Sequence, residues 1–275
     1  MDFKAPSLDS GHVVSGLSMS NEPNVQTQRR GVLVTGGASG IGQAVVKAFA
    51  ELGDITVCLD VSPCKDAAHS VIGDVRDSSA HRIAVDTTLE HAGTLDVLVV
   101  NAGVHDGGMG LELDATDFVA RMRTILDINV IGYALALQAA EVALRDSRGC
   151  VVMTSSDAAY LEGQTGAGIG YTASKYAVSG IARWAARAFA PHVRVNVVAP
   201  GGVMTNLPSV GALGTPGSRL FQDETAKRAS IASRTILGTV MEPNEIAELY
   251  VFLASGATRG LTGAVLRPDG GLDLR

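Results

Sequence analysis

Tyr171 and Lys175 stand four residues apart in the stretch Tyr171-Thr172-Ala173-Ser174-Lys175, so on a helix they lie one turn apart on one face. A free tyrosine titrates at about 10 and is a poor base at neutral pH. An ammonium held beside it favours the phenolate and lowers that value. The pair is then an acid–base group able to move a proton on or off an alcohol. The small residues Gly163, Gly166, Ala167, Gly168 and Gly170 precede the tyrosine and let the chain bring Ser155 or Ser156 back beside it. Tyr-x-x-x-Lys alone occurs by chance in many helices, so its meaning depends on the surrounding elements.

The elements that must position this pair alternate between strand and helix. Order begins at Gly31 with the apolar strand 32–35, then Gly36-Gly37-Ala38-Ser39-Gly40-Ile41-Gly42 runs into a helix over 43–52. Glycines there allow a tight turn and a close backbone approach to a pyrophosphate, and the helix N-terminus offers free N–H groups. A second strand, 55–60, ends in Asp60, 18 residues beyond Gly42, near the spacing of a carboxylate that binds a ribose 2′-OH. Such a carboxylate repels a 2′-phosphate, and Ser39 and Val61 bring no compensating cation, which points to NAD rather than NADP. Only about ten residues, Pro63 among them, separate Asp60 from the third strand and its exit at 71–75; a parallel crossover normally needs a dozen or more. The crossover helix is therefore expected to be absent or cut to one turn.

Helices are expected over 77–91 (capped by Asp77 or Ser78), 114–145, 170–190 and 244–254 (opened by Pro243), with strands over 95–100, 150–154, 193–198 and 261–267. Asn129 sits in an apolar stretch and reads as a buried amide needing partners. The glycine-, proline- and serine-rich run 206–220 reads as a mobile loop, followed by a short helix over 221–233 lying across a site. The pattern implies an α/β fold: a single-domain, Rossmann-type, doubly wound parallel sheet with helices on both faces. Its ligands bind beyond the strand C-terminal ends, where the glycine turn, Asp60, Asn101, Ser156 and Pro200 all fall.

Composition sets the outer limits. The chain has 275 residues, 46% hydrophobic and 18% charged, an ordinary globular mix. Residues 1–28 read as a flexible polar arm and 29–275 as the catalytic domain, with 206–233 as a substrate lid. A net charge of −6 without a basic stripe argues against a nucleic-acid partner. Cys58, Cys64 and Cys150 have neither zinc nor redox spacing and read as reduced thiols in a cytoplasmic protein. The histidines show no ligand spacing, so no metal is expected. No signal peptide is apparent, and no apolar run approaches a membrane span.

With these motifs in order, residues 30–275 resemble a short-chain dehydrogenase/reductase of the roughly 250-residue type. The resemblance rests on Thr35-Gly36-x-x-x-Gly40-Ile41-Gly42, Asp74, Asn101-Ala102-Gly103, Asn129, Ser156, Tyr171-x-x-x-Lys175, Asn196, Pro200-Gly201 with Thr205, and Asp269-Gly270-Gly271. It implies that Tyr171 is the acid–base and that Ser156 holds the substrate oxygen. Lys175 would lower the tyrosine pKa and bond the nicotinamide ribose, and Asn129 would position a water in a proton relay. Asp74 and Val75 would lie near the adenine. Asn101, Ala102 and Gly103 would line the cofactor, with Pro200, Gly201, Val203 and Thr205 at its nicotinamide end. The serine of this family usually stands 13 residues before the tyrosine; here Ser156 is 15 before and Ser155 is 16, which implies a two-residue insertion in 163–170.

Within the family the chain is most similar to cis-dihydrodiol dehydrogenases, through Asn101-Ala102-Gly103-Val104-His105-Asp106, Ala190-Pro191-His192-Val193-Arg194-Val195-Asn196 and Pro200-Gly201-Gly202-Val203-Met204-Thr205-Asn206-Leu207. That implies an NAD-dependent hydride transfer at a secondary alcohol or ketone on a cyclic, largely apolar substrate, by a homo-tetramer. Val104, His105, Ala158, Tyr160, Met204, Leu207, Leu213 and Phe221 are candidate pocket residues. The competing expectations are an NADP-dependent ketoreductase on the same fold and a non-catalytic binding protein. Asp60 argues against the first, and the complete set Asn129, Ser156, Tyr171 and Lys175 against the second.

Overall fold

Near-continuous apolar runs in the central strand segments make those strands apolar on both faces, which suits a parallel sheet covered by helices on either side. The computed structural model describes residues 29–161, 166–211, 214, 216–219 and 223–274. Its strands are β1 (Gly31–Thr35), β2 (Ile55–Asp60), β3 (His69–Ile72), β4 (Val97–Val100), β5 (Cys150–Thr154), β6 (Arg194–Val198), β7 (Pro208–Val210), β8 (Pro216–Arg219) and β9 (Val265–Leu266). Its α-helices are α1 (Gly40–Glu51), α2 (Ser78–Ala92), α3 (Ala115–Leu126), α4 (Gly132–Ser147), α5 (Ile169–Phe189), α6 (Glu224–Ala232) and α7 (Pro243–Ala254). Seven strands form a parallel sheet in the order β3-β2-β1-β4-β5-β6-β9, while β7 and β8 form a separate antiparallel ribbon. Leu33, Leu59, Leu98 and Met153 point to the layer of α2, α4 and α5. Their neighbours Val34, Cys58, Val99 and Val152 point to the layer of α1 and α7. Sequence order reverses between β1 and β4, so a crevice opens beyond the C-terminal ends of these strands.

The link after β2 matches its expectation: only turns connect Asp60 to His69. β3 starts earlier than the sequence suggested and is an edge strand, with Ile72 65% exposed. The other differences have local causes. The helix expected over 114–145 is interrupted at Asp127–Ile131 by a turn of π-helix, which carries the buried Asn129. Such insertions concentrate where a side chain must be re-aimed, and no spacing rule reveals them. The helical run Ala115–Ser147 is long and apolar enough by length and composition to cross a membrane, contrary to the sequence expectation; in this fold it packs on α2, β4 and α5. The run 206–220 forms the β7–β8 ribbon within its described residues, although proline and glycine hide any strand period. The N-terminal arm, Leu213 and Phe221 lie outside the described residues.

Candidate active site

The turn after β1 is shaped for close backbone contact. Gly36 has φ +69°, and a Cβ there would fall 2.5 Å from Ala102 Cα; a Cβ on Gly42 would fall 2.0 Å from the Gly36 carbonyl. Asn101, at the end of β4, donates from Nδ2 to that carbonyl at 3.0 Å, and its Oδ1 accepts from Thr154 Oγ1 at 3.0 Å. Thr154 in turn shares a 2.7 Å hydrogen bond with Tyr250 OH, so one buried polar chain ties the ends of β1, β4 and β5 to α7. No side chain caps the first turn of α1. Asp60 is fixed at the end of β2 by Ala38 N–H and Ser62 N–H, each at 3.0 Å. A helix N-terminus behind a glycine turn, with a carboxylate at the next strand end, fits the diphosphate and ribose of a dinucleotide.

From this turn a cavity of about 460 Å³ runs to Ser156, Tyr171 and Lys175. Tyr171 and Lys175 lie on the buried face of α5, at 8% and 3% exposure. Lys175 Nζ donates to the Thr154 carbonyl at 3.0 Å, and the same carbonyl accepts from Tyr133 OH at 2.9 Å. The ammonium lies 5.5 Å from the ring centroids of both Tyr133 and Tyr171. Burial lowers its pKa to about 7.

The two serines face different partners. Ser155 Oγ donates to the Lys175 carbonyl and faces the α5 backbone. Ser156 Oγ donates to Asp157 Oδ1 at 2.6 Å, accepts from Ala158 N–H at 3.2 Å and hydrogen-bonds with Tyr171. The expected lowering of the Tyr171 pKa by Lys175 is not what the chain alone provides. Burial raises it well above 10, the charges of Asp157 and Asp106 act in the same direction, and only the hydrogen bond with Ser156 acts against them. Spacing shows that the lysine is near; it does not show how much water the site excludes.

Helix α5 has no side-chain cap of its own, and a distant carboxylate serves instead. Asp106, 1% exposed, accepts from Gly168 N–H through Oδ1 and from Tyr171 N–H through Oδ2, each at 2.9 Å, and from Gly108 N–H at 3.0 Å. An anion is favoured at that helix end. Its neighbour His105 packs its ring 4.5 Å from that of Tyr171, and burial lowers the His105 pKa. The His105 backbone exchanges hydrogen bonds with Pro208 and Val210, which fastens the β7–β8 ribbon beside the tyrosine. Asp106→Ala strands three donors and frees the start of α5. A displacement of about 1 Å can cost about 10²-fold in rate, so kcat should fall by that order. A kcat within about threefold of wild type, a smaller change than a displaced acid–base group permits, would remove Asp106 from the positioning of Tyr171.

Most sequence-singled residues meet in this cavity: Gly36, Ser39, Gly40, Ile41, Asp60, Asp74, Val75, Asn101, Ala102, Gly103, Pro200, Gly201, Val203 and Thr205 along it, and Val104, His105, Ala158 and Leu207 near the tyrosine. Four described positions differ. Gly42 packs behind the turn, against the Gly36 carbonyl and Asn101 Nδ2, and does not line the cavity. Tyr160 turns away after a 3₁₀ turn at Asp157–Ala159: its hydroxyl pairs with Ser179 at 3.0 Å and its ring lies under Arg267. Met204 lines a smaller neighbouring cavity. Asn129 is fully buried behind the wall, where its amide serves Val104 N–H, the Val104 carbonyl and Ser174 Oγ. Sequence reasoning missed Thr154, Asp106, Asp157, Lys227 and Arg234. Thr154 and Asp157 flank the serines and were findable by adjacency; the others depend on long-range packing.

A family model described as enoyl-(acyl carrier protein) reductase matches residues 36–273. The chain is 37% identical over 262 residues to the cis-2,3-dihydrobiphenyl-2,3-diol dehydrogenase of Pseudomonas sp. (strain KKS102), covering 91% of this chain and 94% of that protein. It is 36% identical over 259 residues to the cis-1,2-dihydrobenzene-1,2-diol dehydrogenase of Pseudomonas putida, covering 88% and 91%. Among solved structures, the ligand-free aldohexose dehydrogenase of Thermoplasma acidophilum superposes with a TM-score of 0.77 at 27% identity, covering 90% of this chain and 95% of that one.

Proposed function

The chain belongs to the short-chain dehydrogenase/reductase family and is an oxidoreductase acting on CH–OH groups; we propose that it moves a hydride between NAD and a hydroxyl-bearing ring carbon, with cis-dihydrodiols as the substrate class. One observation carries this reading: Ser156, Tyr171 and Lys175 converge at one end of a cavity whose other end presents the glycine turn and Asp60. The two Pseudomonas relatives are named for ring cis-dihydrodiols, and Val104, Ala158 and Leu207 add apolar lining to the cavity.

When bound, the nicotinamide supplies the hydride acceptor. Tyr171 takes the substrate hydroxyl proton as phenolate. Ser156, fixed by donating to Asp157 and hydrogen-bonded with Tyr171, positions the tyrosine oxygen and the substrate oxygen beside it. Lys175 places a cation beside the reacting groups while anchored to the Thr154 carbonyl. The long polar chain through Asn101 and Thr154 keeps the cofactor end and the proton-transfer end in register. The exposed Ile131, Val142, Tyr176 and Trp184 on the outer faces of the π turn, α4 and α5 support assembly into a homo-tetramer, which light scattering would measure.

The test is a thermal titration with NAD and NADP separately, because a ligand of the folded state raises the midpoint. NAD should stabilise the protein at lower concentration than NADP, and a panel of cyclic cis-diols should then be oxidised. Asp60→Asn removes the charge that meets a 2′-phosphate and should narrow the NAD preference by about tenfold or more. Stronger stabilisation of wild type by NADP would overturn the NAD assignment in favour of a ketoreductase.

A further inference from the structure

We propose that Lys227, on helix α6, binds the diphosphate of the dinucleotide; this rests on the nicotinamide reading above. The glycine turn offers backbone N–H groups and no cation. Among the described residues, the lysine and arginine side chains that line the cavity are Lys175, Lys227 and Arg234. Lys175 is held at the Thr154 carbonyl, and Arg234 acts on Asp157 beside the serine. Lys227 stands elsewhere. Its Nζ donates to the Thr205 carbonyl, and the Thr205 side chain lies 3.5 Å from where a Cβ on Gly40 would be. Gly40 opens α1, so the ammonium is one residue removed from the helix N-terminus that receives the phosphates.

Lys227 also lacks the partner that a half-buried ammonium ordinarily has. Among the described residues, no carboxylate stands within ion-pair distance of it. Glu242 is paired with Arg228 and caps α7, and Glu224 lies one turn back on α6. Both carboxylates favour its charged form while burial works against it. A diphosphate would supply the missing counter-charge, and charge-assisted bonds to phosphate are among the stronger hydrogen bonds. The same contact would hold α6 against the Thr205 segment that Lys227 already touches.

The experiment measures calorimetric affinities of NAD, ADP-ribose and AMP for wild type, Lys227→Met, Lys227→Gln and Lys227→Arg, with the unliganded melting temperature as a control for folding. NAD and ADP-ribose contain the diphosphate; AMP carries only the adenosine and one phosphate. Both neutral variants should bind NAD and ADP-ribose about tenfold or more weakly, bind AMP as wild type does, and show a shallower dependence of affinity on salt. Lys227→Arg should stay near wild type. Unchanged ADP-ribose affinity in Lys227→Met or Lys227→Gln would overturn the inference, as would a loss confined to NAD, which would place the lysine at the nicotinamide end. A wild-type chain that binds neither NAD nor NADP would refute the nicotinamide reading itself, and this inference with it.

Discussion

Replacing Tyr171 with Phe is expected to lower kcat by about 10³-fold, within the range for removing a positioned general acid–base group, while the protein still folds and binds NAD. The substitution keeps the ring that packs against His105 and removes one hydroxyl from a site at 8% exposure. The hydroxyl's partner, Ser156, retains Asp157 and the Ala158 N–H, so no buried polar group is stranded and the stability change should be within about 1 kcal/mol. Steady-state kinetics on a cis-diol and a thermal melt with and without NAD separate the two effects. Turnover near wild type would remove Tyr171 from the chemistry. The pH profile carries further information. Burial and the charges of Asp157 and Asp106 hold the phenol protonated in the chain alone. Alcohol oxidation, which needs the phenolate, should therefore rise from neutral to alkaline pH. Carbonyl reduction, which needs the phenol, should not.

The sequence made the framework legible where one local rule decided the outcome. The glycine turn followed a strand and opened a helix, Asp60 ended the next strand, and Asn101 ended the strand across the switch point. Each therefore had to fall at the same end of a parallel sheet. The bare link from Asp60 to His69 followed from a residue count alone. What stayed hidden depended on partners far along the chain. Asp106 caps α5 across more than sixty residues, and nothing in its neighbours Val104 and His105 marks it. Asn129 was recognised as a buried amide, but the π turn that aims it at Val104 and Ser174 has no sequence period. The β7–β8 ribbon hid behind prolines. The net upward shift of Tyr171 was not legible, because proximity to Lys175 is written in the spacing and burial is not.

Lys175 gives the second large effect, and here activity and stability should move in opposite directions. Lys175→Met is expected to abolish most turnover, by about 10²-fold or more as for loss of a group acting on the acid–base residue, and to raise the melting temperature near neutral pH. The ammonium is buried between two tyrosine rings and its pKa is lowered to about 7, so the folded state disfavours its charge. Methionine matches the stem in length and belongs in such a setting. The Thr154 carbonyl keeps its hydrogen bond from Tyr133 OH and is not stranded. The sign is fixed by linkage. The unfolded lysine titrates at about 10.4, so between about pH 7 and 10 the unfolded chain binds more protons at this position, and wild-type stability gains as pH rises across that window. Methionine carries no such dependence. The stability difference between variant and wild type should therefore be largest at and below pH 7 and should shrink steadily toward pH 10. Beyond pH 10 the raised Tyr171 and Tyr250 begin to oppose folding in both proteins alike. Melts of the two proteins at half-unit intervals from about pH 6 to 9.5, a span set by these titrations, measure it directly. A stability offset between the two proteins that stays constant with pH would mean that the buried ammonium is not the source of the strain. A variant less stable than wild type at pH 6 would mean that the bond to Thr154 outweighs the cost of burying the charge.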